Sequence, residues 1–308
     1  MMVKQTSTPH LIVVLGPTAS GKTSLAVAVA KALNGEIISA DSRQVYRHMD
    51  IGTGKDLLLY EDTPYHLIDI CEAGEAYHVA RFQQDYQQAL SAVIAAGHQP
   101  ILCGGTGLYL QAAITGLAYS GVPVSSERRE ALEHLDRDVL IQRLDALPLP
   151  PGFTADTSTK KRLIRAIEIA EWWQTDPHAA PSSPPPIPAT IFGINPPVAE
   201  RRKQITERLR QRLDDGLIDE VKELLQRDIR PQQLIRYGLE YKYVTQHLLG
   251  ELDRSTLFSK LNTEIHRYAK RQMTFFRKME KDGQKIHWLQ SESSSGMAAE
   301  LLEILQNG

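Results

Sequence analysis

The stretch Gly16-Pro17-Thr18-Ala19-Ser20-Gly21-Lys22-Thr23 follows directly on the apolar run Leu11–Leu15, and it is the feature that most constrains the fold of this 308-residue chain. Its spacing is G-x-x-x-x-G-K-[ST]. Gly16 and Gly21 let the backbone curl so that successive amide N–H groups point inward at phosphate oxygens. A helix starting near Lys22 adds its positive N-terminal end. Lys22 then places a charge on the terminal phosphate, and the Thr23 hydroxyl is set to ligate a Mg²⁺ ion bridging the phosphate oxygens. A strand, a loop and a helix in this order bind a diphosphate. They do not say whose.

Apolar β-type runs at Leu11–Leu15, Glu36–Asp41, His66–Ile70, Pro100–Cys103 and Thr190–Ile194 alternate with helical patterns at 22–33, 78–96 and 106–115. Such alternation predicts an α/β fold: a P-loop NTPase-like parallel sheet covered by helices on both faces. Residues 118–158 are charged, hold Pro123, Pro148, Pro150 and Pro151, and contain two short helical patterns. They are expected to form a small helical insertion between a first part of the core, 1–117, and its remainder, 159–308. The run at 177–188 holds six of the seventeen prolines and is expected to be an extended connector. After residue 199 the pattern is helical.

Two cysteines, Cys71 and Cys103, stand in apolar stretches and are expected to be reduced core residues. No run approaches the roughly 18 apolar residues of a membrane span, and the N-terminal residues lack a long apolar segment. A monomer in the cytoplasm is the expectation. The net charge of −2 argues little either way about nucleic acid, but its distribution does. Residues 201–212 carry six Lys or Arg against one Glu, and 260–281 carry seven against two. Two basic segments on a near-neutral protein suit an RNA partner.

The second run delivers Asp41-Ser42-Arg43-Gln44 to the carboxyl edge of the sheet, where open α/β sheets bind ligands. A carboxylate there can accept a proton from an incoming nucleophile, and Arg43 and Gln44 offer planar donors to a base or phosphate. Capping of a helix start is the alternative account of Asp41. An NTPase of ordinary type also ends an apolar strand in a metal-binding Asp. The corresponding run here ends in Gly104-Gly105-Thr106. Close approach to a ligand with a Thr106 hydroxyl facing it, or a tight turn with an N-cap, would both account for those residues.

GPTASGKT, DSRQVYRHMDIGTGK, HLIDI, GGTGLYL, KKRLIRAIE and YAKRQMTFFR, taken in order, resemble the motif series of the tRNA dimethylallyltransferases, also called tRNA isopentenyltransferases. The resemblance runs from Leu11 to about Trp288. It implies transfer of a dimethylallyl group from dimethylallyl diphosphate to N6 of the adenine 3′ of the anticodon, in tRNAs that read codons beginning with U. The diphosphate would then be a leaving group. By the same resemblance Arg208 contacts that diphosphate and Asp41 deals with the N6 proton. Because carboxylates are weak bases, Asp41 is expected mainly to orient N6 and to take the proton late. Asp41, Ser42, Arg43, Gln44 and Thr106 would meet the adenine. Lys161, Arg162, Leu163, Ile164 and Arg165, with Lys270 and Arg271 of the basic helix, would touch the tRNA, and the insertion would close over the anticodon stem-loop.

The chain also departs from that series. It has Tyr237-Gly238-Leu239-Glu240-Tyr241-Lys242 where A-I-G-Y-K-E is usual, GTGK at 52–55 where GTAK is usual, and Ile265, His266 and Phe275 within the basic helix. These changes fall at tRNA-facing or packing positions and leave the phosphate loop and Asp41 intact, as a divergent paralogue would. The lack of a Cys/His-rich extension after 290 leans towards a bacterial-type enzyme. The competing readings are an adenylate isopentenyltransferase acting on free AMP, ADP or ATP, a P-loop small-molecule kinase, and a non-catalytic RNA-binding module.

Overall fold

The computed structural model describes residues 10–175, 187–291 and 293–307. Six strands, β1 (Leu11–Leu15), β2 (Gly35–Ser39), β3 (Tyr65–His66), β4 (Gln99–Gly104), β5 (Ala189–Gly193) and β6 (Ile286–Trp288), form one sheet in the order β3-β2-β4-β1-β5-β6. Every pairing is parallel. The helices are α1 (Lys22–Leu33), α2 (Val79–Ala95), α3 (Gly107–Thr115), α4 (Ser126–Glu133), α5 (Arg137–Asp145), α6 (Lys160–Thr175), α7 (Val198–Asp214), α8 (Leu217–Gln226), α9 (Pro231–Leu234), α10 (Leu239–Leu248), α11 (Arg254–Lys281) and α12 (Ser294–Asn307). The connector expected at 177–188 lies almost wholly outside the described residues. Among those residues no helix is long and apolar enough to cross a membrane.

Strand β1 is central, and all five of its residues are buried, as a strand covered on both faces requires. On one side Ile12 and Val14 join Leu25, Val29, Ile101, Phe192 and Leu301, so that α1 and α12 share a core with the sheet. A second core unites Val45, Tyr46 and Met49 with Leu209, Val221, Tyr241, Leu261 and Ile265, which ties α7, α8, α10 and α11 to the turn after β2. The third apolar run is shorter than expected: β3 stops at His66, because Leu67 and Asp69 adopt left-handed φ values of 63° and 56°. That twist turns Asp69 towards Lys55.

The chain divides into two compact units, Met1–Thr115 with Pro186–Gly308, and Gly116–Pro185. The helical unit is larger than the 118–158 segment expected from composition. Helix α6 belongs to it, because Leu163, Ile164 and Ile167 pack in the same core as Leu132, Leu140 and Leu144. Leu163 and Ile164 are therefore core residues, and the expected tRNA contact through their side chains is corrected on that ground.

Leu140 is fully buried in this small core, so Leu140→Ala is expected to cost about 2–5 kcal/mol. Urea unfolding followed by fluorescence of Trp172 and Trp173, both on α6, checks it; an unchanged midpoint would contradict the packing. Cys71 and Cys103 are free and buried, and burial pushes both thiols up to about 11. At pH 8 only roughly one molecule in a thousand then holds a given thiolate, the reactive form. An aromatic disulfide reagent at pH 8 should leave both thiols unmodified in the folded protein and titrate two after denaturation; rapid native labelling would refute this.

Candidate active site

A cavity of about 520 Å³ opens in the first unit at the carboxyl ends of β1, β2 and β4. Its floor is the phosphate loop. Gly21, at φ 82°, turns the chain from the loop into α1 in a conformation that other residues adopt at a cost. Lys22 follows, donating from Nζ to the Pro17 carbonyl at 2.9 Å, and Thr18, Lys22 and Thr23 all line the cavity. A second recess of about 430 Å³, lined by Ala19–Ser24, Asp56 and Arg208, reaches the other side of the same loop. Of the eight loop residues, Gly16 and Pro17 line neither space.

Beyond β2 the chain turns rather than starting a helix. Asp41 Oδ1 accepts the Arg43 amide at 2.8 Å, and the Ser42 amide donates to Thr106 Oγ1 at 3.2 Å. The two strand-end motifs are thus bonded to each other, and Asp41, Ser42, Arg43, Gln44 and Gly104–Thr106 all face the cavity. Gln44 is fixed from both ends, accepting from Ser39 Oγ at 3.0 Å and donating to the Gly54 carbonyl at 3.0 Å.

Helix α7 contributes Arg208 and Arg212, α11 contributes Tyr268, Arg271 and Gln272, and residues 235–242 close one side. Seven Lys or Arg side chains (Lys22, Arg43, Arg208, Arg212, Arg236, Lys242 and Arg271) line this space against two carboxylates, Asp41 and Glu240. On a chain of net charge −2 this is a strongly cationic pocket suited to an anion. Burial lowers the pKa of Lys22. Burial and the neighbouring Arg212 push Arg208 down to about 10, so it keeps its charge at neutral pH. Burial, helped by the Asp41 charge, raises the Tyr268 phenol, which stays protonated.

Several supports were invisible in the sequence. Gln272 accepts the Thr18 amide at 2.8 Å and donates to the Gly105 carbonyl at 2.9 Å, clamping the phosphate loop to the β4 turn from 167 or more residues away. Its one signal is an amide within the apolar face of α11. Lys55 is fully buried, bonded to the Tyr46 carbonyl at 2.8 Å and to the carboxylates of Asp50 and Asp69. The GTGK and HLIDI motifs therefore meet as a structural ion cluster. Glu220 on α8 accepts the amides of Asp50, Ile51 and Gly52 at 2.6–3.0 Å and the Tyr241 hydroxyl at 2.7 Å.

The remaining expected residues are distributed differently. Arg271 lines the cavity over the Tyr268 ring, whereas Lys270 is exposed outside it. In the helical unit Lys161 is exposed and Arg162 pairs with Asp156 at 2.7 Å. Arg165 donates to the carbonyls of Tyr119, Ser120 and Val122 and pairs with Glu168. Among the described residues no cluster of three His, Cys, Asp or Glu side chains could hold a metal.

The IPP transferase family model matches residues 44–279, and an isopentenyl transferase model matches residues 9–59. The tRNA dimethylallyltransferase 2 of Syntrophotalea carbinolica is 51% identical over 282 residues, covering 92% of this chain and 94% of that protein. The tRNA dimethylallyltransferase 1 of Geotalea uraniireducens is 45% identical, with 92% and 93% covered. The crystal structure of the tRNA isopentenylpyrophosphate transferase of Bacillus halodurans superposes with a TM-score of 0.70 at 31% identity, covering 97% and 96% of the two chains. A eukaryotic dimethylallyltransferase acting on tRNA gives a TM-score of 0.77 at 22% identity, over 97% of this chain and 80% of that one, a likeness of fold alone. With a family model spanning most of its length and relatives of near 50% identity, the chain belongs to the IPP transferase family.

Proposed function

We infer that this protein is a tRNA dimethylallyltransferase, which transfers the dimethylallyl group of dimethylallyl diphosphate to N6 of the adenine 3′ of the anticodon, in tRNAs reading codons that begin with U, and releases diphosphate. The observation that carries this reading is the placement of Asp41 in one cavity with the phosphate loop and a large excess of cations. A γ-phosphate transferase would want a strand-end aspartate; β4 ends in Gly104.

The reaction breaks the allylic C–O bond, with its electron pair leaving on the diphosphate, and forms a C–N bond to N6, which loses a proton. Charge grows on the departing oxygens, so donors already aimed at them stabilise the transition state more than the ground state. The loop amides, Lys22 and Arg208 are those donors. The N6 lone pair is delocalised into the ring, and Asp41 orients the amine and receives its proton as positive charge develops on nitrogen. Arg43 and Thr106 stand beside Asp41 to hold the base. Unstacking the adenine costs a few kcal/mol, recovered through contacts with the base and loop backbone. Each unit by itself offers cations to the tRNA: Lys270 and Arg271 on α11 in the first, Lys161 and Arg162 on α6 in the second.

The residues present fit a Mg²⁺ ion: Thr23, in the first turn of α1, lines the cavity, and its hydroxyl would hold the ion together with phosphate oxygens and water. When bound, it would neutralise charge on the leaving group. The protein acts as a monomer in the cytoplasm.

Purified protein, Mg²⁺, labelled dimethylallyl diphosphate and unmodified tRNA with adenines at positions 36–38 should yield one prenylated adenosine by nucleoside mass analysis. Asp41→Ala should lower kcat/KM on the order of 10²–10⁴-fold without loss of fold. Product from AMP but not from tRNA would move the reading to a free-nucleotide transferase, ADP formed from ATP would favour a kinase, and tRNA binding without product would leave an RNA-binding module.

A further inference from the structure

Gly54 has a φ of 62°, and a methyl group on its Cα would collide with the guanidinium of Arg212 first and with that of Arg208 next. Both guanidinium groups therefore crowd over one bare piece of backbone. The two arginines stand four residues apart on α7, on the same helical face. Each is also paired with a carboxylate: Arg208 with Asp56, and Arg212 with Glu240 at 3.5 Å. The Arg212 side chain is only 12% exposed and lines the same cavity as Lys22, Thr23 and Asp41. Two like charges drawn together out of water repel, and an anion placed between them relieves that repulsion.

We propose that Arg212 is a second guanidinium on the diphosphate leaving group, and that Gly54 is the opening that lets it reach beside Arg208. The proposal rests on the reading of the cavity as a diphosphate site. A planar fork binds two oxygens of a phosphate at once, which a single ammonium at Lys22 cannot do. The pair is suited to the later stage of the reaction: as the C–O bond breaks, the electron pair moves onto the diphosphate and the attraction of both guanidinium groups for it rises. Burial makes Arg212 a poor handle for the tRNA backbone, which the exposed Lys270 serves better.

Calorimetric titration of the full chain with inorganic pyrophosphate and Mg²⁺, alongside steady-state kinetics, tests this. Arg212→Gln should weaken pyrophosphate binding about tenfold or more and lower kcat/KM for dimethylallyl diphosphate, while KM for tRNA stays within about twofold. Arg212→Lys, which keeps the charge but loses the fork, should fall between. Gly54→Ala removes no charged group, yet should weaken pyrophosphate binding by displacing the guanidinium, and it decides the matter if Arg212→Gln fails to fold. Unchanged pyrophosphate binding in Arg212→Gln, or a raised KM for tRNA in place of it, would overturn the proposal. Wild-type protein that binds pyrophosphate but prenylates no tRNA would sink the functional reading above and leave the Arg212 titration standing.

Discussion

Seven cationic side chains share one cavity with two carboxylates, and holding them together is the constraint on which the rest of the structure depends. Like charges at this density repel, and burial raises the cost of each. The chain answers with local counter-charges of limited reach. Asp56 engages Arg208, Glu240 engages Arg212, and Asp41 faces the arginines and Lys22. None of these neutralises the pocket. On the proposed reading a diphosphate would complete that balance, met by donors the fold already holds in place.

Keeping the arrangement in place falls to Glu220, Lys55 and Gln272. The segment 50–56 runs between the strand-end turn and α7, and its geometry sets where Asp56 and Gly54 stand. Glu220 gathers three of its amides, and Lys55 ties it to Asp69 from beneath. A lone buried ammonium would be prohibitive; here Asp50, Asp69 and a backbone carbonyl satisfy it. Gln272 does the equivalent for the phosphate loop, joining it to the β4 turn. The phosphate loop, the β4 turn and, through the bond from the Ser42 amide to Thr106, the turn after β2 are thereby fixed to one frame.

Legibility of the chain followed the range of the interactions. The phosphate loop with its flanking strand and helix could be read to the residue, because a run of five apolar residues, a glycine at left-handed φ and a helix start are local properties. The placement of Asp41 beside that loop was legible too, from the rule that parallel strands present their carboxyl ends to ligands. What escaped were pairings across 150 residues or more, such as Glu220 with Asp50 or Gln272 with Thr18. No periodicity encodes those. The run at His66–Ile70 misled for a related reason: an apolar strand pattern yielded to the need to turn Asp69 onto Lys55. Composition drew the helical unit too short at 158, because the basic face of α6 masked an apolar face that belongs to the same core.

The same contrast separates the two substrates. A diphosphate is recognised by closely spaced donors on rigid elements, and those come from one loop and one helix face, so few residues suffice to specify it. A folded RNA is held by cations scattered over a wide surface, each contributing little and each as readily a solvated side chain. Arg162 and Arg165 illustrate the ambiguity, since both are engaged within their own unit. Chemistry at the leaving group is therefore written in the geometry of the cavity, while the choice of acceptor rests on family membership and on the basic faces of α6 and α11.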